Sequence, residues 1–207
     1  MNSPYVVVTA IFFSIFNSCN IKNEKINYTS VNKWIGKKII IPSDTLSIKL
    51  KNTTTYNYSD FFNPDNIKLV VSVNGECGAC INKLRAVEEF ADEIFLSYDN
   101  ISLLVYVNSM TTDFVNFEIL NDVEINFKYP VVYDYDNKYL KENNFSSNEF
   151  YHILLCDKHD KVLMIGDFTK DETLRALYLK EIKLHGNPVI YDYPIIPPIY
   201  KSPKKSP

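Results

Sequence analysis

Ile67-Lys68-Leu69-Val70-Val71-Ser72-Val73 is a nearly continuous apolar run with two β-branched valines at its centre, the pattern of a strand buried on both faces. It leads directly into Asn74-Gly75-Glu76-Cys77-Gly78-Ala79-Cys80, after which the period changes. Ile81, Leu84, Val87, Ala91 and Ile94 recur at three- and four-residue spacing, the signature of a helix with one apolar face. Two cysteines three apart are therefore expected where a buried strand ends and a helix begins.

Outward from this unit, Ile101 to Val107 reads as another buried strand, Thr111 to about Val123 as a helix with Phe114 and Leu120 inward, and Val131 to Tyr133 as a short strand. Tyr151 to Cys156 and Val162 to Ile165 form two strands joined by a tight turn at Asp157-Lys158-His159-Asp160. Thr169-Lys170-Asp171-Glu172 has the form of a capping box opening a last helix, with Leu174, Leu177 and Ile182 on its inner face and Gly186 at its end. Upstream, Lys38 to Ile41 and Leu46 to Leu50 read as a leading hairpin. The order calls for an α/β domain over residues 38–186, a mixed central sheet flanked by helices.

The flanks have a different composition. Tyr5 to Phe16 is an uncharged apolar run too short for a mature membrane-spanning helix and suited to the core of an export signal; it ends at Asn17-Ser18-Cys19. That arrangement resembles the lipobox of bacterial lipoproteins, which implies lipidation of Cys19 and attachment to a membrane. A plain signal peptide or a buried first strand are the alternatives. Residues 20–37 are polar and read as a tether, in which Trp34 is expected to be a packing anchor. After Gly186, six prolines in twenty-one residues indicate an extended tail over 187–207.

The bulk numbers exclude some functions. Net charge is −3, and the basic residues cluster only at Lys201, Lys204 and Lys205, so nucleic acid is not an expected partner. Five glycines in 207 residues argue against a fold built on phosphate-binding loops.

The four cysteines divide into Cys19, the pair, and Cys156, which sits beside Leu154 and Leu155 as a small hydrophobic core residue would. Sulfurs of Cys77 and Cys80 fall on nearly one side of a first helical turn, close enough to form a small disulfide ring. Open N–H groups and the helix dipole at that end favour a thiolate on Cys77, the nucleophilic form in disulfide exchange, while the adjacent Glu76 opposes it. Cys80, one turn in, suits the resolving role. A half zinc site completed by Cys156, His152 or His159, and a purely structural disulfide, are the competing explanations.

The span from about Ile39 to Gly186 resembles the thioredoxin superfamily, specifically the redoxin-type domains of exported bacterial thiol-disulfide oxidoreductases. The likeness rests on the hydrophobic strand, the CysXaaXaaCys at a helix start, the second strand, and the late Leu154 to Val162 strand-turn-strand. It implies a thioredoxin-like three-layer fold with an N-terminal hairpin, Cys77 as attacking thiol, Cys80 as resolving thiol, protein thiols and disulfides as partners, and no metal or organic cofactor. Glu76 stands where the family has an aromatic residue, and Ser146 to Ile153 contains no proline where the family has a cis-proline, so substrate docking is expected to differ. The other reading is a redox-inactive binding or assembly module of the same fold on the cell envelope.

Overall fold

The computed structural model describes residues 33–42, 47–50, 53–56, 62–109, 114–145 and 152–190. Cys19, the leader and most of the tether and tail lie outside the described residues. Among those described, no helix is long and apolar enough to cross a membrane.

Among the described residues seven strands form one mixed sheet: β1 (Ser47–Leu50), β2 (Thr53–Tyr56), β3 (Ile67–Asn74), β4 (Ile101–Asn108), β5 (Val131–Asp134), β6 (Ile153–Cys156) and β7 (Val162–Ile165). Their order across the sheet is β2-β1-β5-β4-β3-β6-β7. β3 is parallel to β4 over its whole length and antiparallel to β6, so it lies inside the sheet with both edges paired and its carboxyl end at Asn74. The helices are α1 (Gly78–Ser97), α2 (Val115–Leu120, continued by a π-helical turn Asn121–Ile125), α3 (Lys138–Glu142) and α4 (Glu172–His185). This is the thioredoxin-like α/β layout expected from the sequence.

The alternation of buried side chains divides the interior in two. Leu69, Val71 and Val73 of β3, with Val105 and Val107 of β4, pack under Ile81, Leu84, Val87 and Phe90 of α1 and under Tyr178 and Ile182 of α4. On the other face Val70, Leu104, Tyr106, Val132, Leu154 and Cys156 meet Tyr139 of α3 and Ile39 of the N-terminal segment. β3 is apolar on nearly every residue because both faces are covered, as its sequence anticipated. Trp34 lies against Phe145, ring centroids 4.7 Å apart, which makes it a packing residue.

Three details differ from expectation. The leading hairpin is made by β1 with β2, while residues 38–41 are not a strand: they bond along the outer edge of β7 through the Lys38–Lys161 bridge, with the Ile39 N–H donating to the Asp160 carbonyl. Four-residue strands carry too little pattern to fix their partner. The last helix is capped by Asp171, whose Oδ1 accepts from the N–H groups of Thr173 and Leu174. Thr169 instead belongs to a 3₁₀ turn, Phe168–Lys170, capped by Asp167. Two Asp caps four residues apart make two short starts where one capping box was expected. Leu177 is half-exposed and Tyr178 lies inside, its hydroxyl shared between the carbonyls of Ile153 and Gly166 at 2.9 and 3.0 Å.

Candidate functional site

The loop after β3 is held in place before the helix begins. The Gly75 N–H donates to the Asn108 carbonyl at 2.8 Å, and the Asn108 amide donates to the buried Ser72 hydroxyl at 2.8 Å, which ties the ends of β3 and β4 together under the loop. The Asn74 carboxamide accepts from the Glu76 N–H at 2.8 Å, an Asx turn that reverses the chain toward α1.

Gly75 is required here by close approach. A Cβ at this position would stand 2.9 Å from Val107 Cγ1, 3.3 Å from the Asn108 carbonyl oxygen and 3.4 Å from Phe117 Cβ. Val107 is fully buried, so little space exists for it to move. Gly75→Ala is expected to cost about 1–3 kcal/mol through overpacking. A drop in the urea midpoint with an unchanged m-value is the measurement that checks it.

Cys77 is the N-cap of α1, with extended backbone, and its Sγ accepts from the Cys80 N–H at 3.3 Å. The sulfur therefore meets an amide at the positive end of a twenty-residue helix, a setting that favours negative charge. Cys77 is half-buried and Cys80 is buried at 8% relative exposure. One cysteine is partly exposed and the other is buried one turn along the helix, so the structure brings the two predicted residues together.

Cys156 is not part of this cluster. It points into the core on the face of the sheet away from α1, and burial pushes its thiol pKa well above the ordinary range. It is the inert core thiol its neighbours suggested. His159 lies in the β6–β7 turn, on the rim of a polar hollow of about 580 Å³ with His185 and Asp99; α4 ends and β4 begins there, at the pole opposite to the carboxyl end of β3.

Three contacts around the pair were not legible in the sequence. Glu76 is exposed, and its carboxylate accepts from the Ser109 hydroxyl at 2.5 Å, so the charge that opposes a thiolate is drawn toward the end of β4. Lys83 is nearly covered and forms a 2.8 Å ion pair with Asp167, at 11% and 13% side-chain exposure. That pair fastens the second turn of α1 to the segment after β7. Arg85 is exposed, and its guanidinium donates to the Glu124 carbonyl of the π-helical turn. Ser109 and Asp167 are distant in sequence from the pair, and no local pattern signals such partners.

Among solved structures the chain is similar to a putative protein disulfide isomerase from Bacteroides thetaiotaomicron, at TM-score 0.50 and 14% identity, covering 73% of this chain and 89% of that one. It is similar also to the thioredoxin domain of a thiol-disulfide oxidoreductase from Bacteroides vulgatus, at TM-score 0.50 and 15% identity, covering 72% and 97%. No protein-family model and no curated protein matches the chain. The chain has a thioredoxin-like fold.

Proposed function

We infer that the protein is an exported thiol-disulfide oxidoreductase that exchanges disulfides with protein thiols through Cys77 and Cys80. The supporting observation is the arrangement of the pair: a partly exposed Cys77 at a helix N-cap, its sulfur accepting an amide N–H, with Cys80 buried one turn behind it. The solved relatives of the same fold are named as a disulfide isomerase and a thiol-disulfide oxidoreductase.

Reduction of a substrate disulfide proceeds in two displacements. The Cys77 thiolate attacks one sulfur of the substrate, forming a mixed disulfide and releasing the other substrate sulfur as thiolate. The Cys80 thiolate then attacks Cys77 Sγ, expelling the first substrate sulfur. The Cys77–Cys80 bond forms, the substrate gains two electrons, and a dithiol partner returns the pair to its starting state by the same steps reversed. Neither metal nor organic cofactor is required.

The proposed organisation is a leader over residues 1–19 with Cys19 as lipid anchor, a tether over 20–37, the domain over 38–186 and an extended tail over 187–207. The protein would then act at the cell envelope, on its periplasmic side or outer surface. Glu76 in place of an aromatic residue and the absence of proline from Ser146 to Ile153 favour a second reading, in which the same fold serves as a redox-inactive binding or assembly module.

Thiol trapping of the purified protein across a series of glutathione poises separates the two. The oxidoreductase gives a pair that titrates reversibly, whereas a pair oxidised at every poise establishes the binding module.

A further inference from the structure

α2 is apolar on two sides. Phe114 and Phe117 enter the core between β5 and the Gly75 loop, yet Val115, Ile119 and Val123, at four-residue spacing, are 53%, 56% and 79% exposed. Half-exposed Tyr135 extends the strip at one end, its ring edge-on to Phe114 at 5.0 Å. A single exposed apolar side chain is ordinary, but a contiguous row on a helix already buried on its other side marks a contact surface.

The helix that carries the row packs beside the loop leading to the pair. Phe117, on the inner side of α2, lies within 3.4 Å of where a Gly75 side chain would begin, and Arg85 of α1 bonds the Glu124 carbonyl at the far end of the row. Apart from Arg85, the charged side chains along the row are acidic: Asp122 and Glu124 are exposed beside Val123, and Glu118 lies one residue before Ile119. The guanidinium of Arg85 is already committed to a backbone carbonyl. A partner that covers the row and meets this rim carries positive charge.

We propose that the outer face of α2 and its π-helical turn is the docking surface for client polypeptides whose reactive cysteine is flanked by apolar and basic side chains. The role rests on the redox reading of Cys77; the binding itself does not. It gives the site a substrate preference carried by α2 in place of the family's aromatic residue and proline.

The test uses two fluorescent peptides of alternating valine with lysine, or valine with glutamate, each holding a central serine in place of the cysteine so that binding is read without exchange. Anisotropy with the full chain is expected to favour the lysine peptide, and Val115→Ser, Ile119→Ser and Val123→Ser together to weaken that binding about tenfold. Asp122→Lys with Glu124→Lys, which touches no core residue, is expected to shift preference toward the glutamate peptide. Cys77→Ser is expected to leave peptide binding in place while abolishing exchange with glutathione. Equal binding of both peptides, or binding unaffected by both sets of changes, overturns the proposal. So does a concentration-dependent dimer that the serine changes dissolve, which assigns the face to a second copy of the chain. If the wild-type pair does not exchange with glutathione while the lysine peptide still binds on α2, the redox reading falls and the docking surface stands.

Discussion

Replacing Cys77 by serine is expected to lower the rate of disulfide exchange roughly a thousandfold or more, the scale of loss when a reaction is deprived of its nucleophile. The expectation follows from position. Among the described cysteines Cys77 alone is not buried, since Cys80 lies at 8% exposure one turn along the helix and Cys156 is wholly enclosed on the other face of the sheet. A serine hydroxyl can keep the N-cap bond to the Cys80 N–H, so the fold should survive and the effect should be chemical. Cys80→Ser should behave differently. Attack by Cys77 still occurs, but the mixed disulfide has no resolving thiol and accumulates, visible by mass spectrometry as a covalent adduct that dithiothreitol releases. Cys156 should remain unmodified by iodoacetamide in the native protein. If Cys77→Ser retains exchange, or if the Cys80→Ser adduct forms on another cysteine, the assignment of roles is wrong.

The parts of this site that were legible in the sequence are those with local signals. The run from Ile67 to Val73 and the period from Ile81 to Ile94 define β3 and α1 because both are long enough for their burial to dominate composition. The junction between them locates Cys77 and Cys80 without reference to the rest of the chain. What was not legible depends on residues far apart in sequence. The Ser109 bond to Glu76, the Lys83–Asp167 pair and the Arg85 bond to Glu124 bring together positions 33, 84 and 39 residues apart. α3, only five residues long, shows no period of its own and is held by Asp134, whose carboxylate accepts from the N–H groups of Lys138 and Tyr139. Short elements of this kind are fixed by tertiary bonds, and pattern reading cannot supply them.

Lys68 shows the same limit with the largest consequence for stability. In the sequence it interrupts an apolar run, and in the structure it is 1% exposed, on the interior strand β3. Its ammonium donates to the carbonyls of Pro64 and Lys158 at 2.8 and 3.1 Å and pairs with Asp160 at 2.8 Å. Three acceptors from two loops thus converge on one buried cation. Lysine has three N–H donors, so all are engaged, and the charge is tolerated because none is left unpaired. Asp160 sits at φ +64, a backbone conformation that the β6–β7 turn imposes, and its carboxylate is partly solvated, at 26% exposure. Removing the lysine therefore strands a carboxylate that water only partly reaches, together with two carbonyls. Lys68→Ala adds a cavity to this loss, and we expect about 3–5 kcal/mol of destabilisation, or roughly 10–15 °C in the thermal midpoint for a domain of this size. Lys68→Met keeps the buried stem and should cost less, about 1–3 kcal/mol, because only the polar interactions are lost. Lys68→Met combined with Asp160→Asn should cost less than the sum of the two single changes, since each alone leaves an unpaired group. Equal losses for alanine and methionine would remove the cavity from the account, and strict additivity in the double variant would show that the ion pair does not couple the turn to β3.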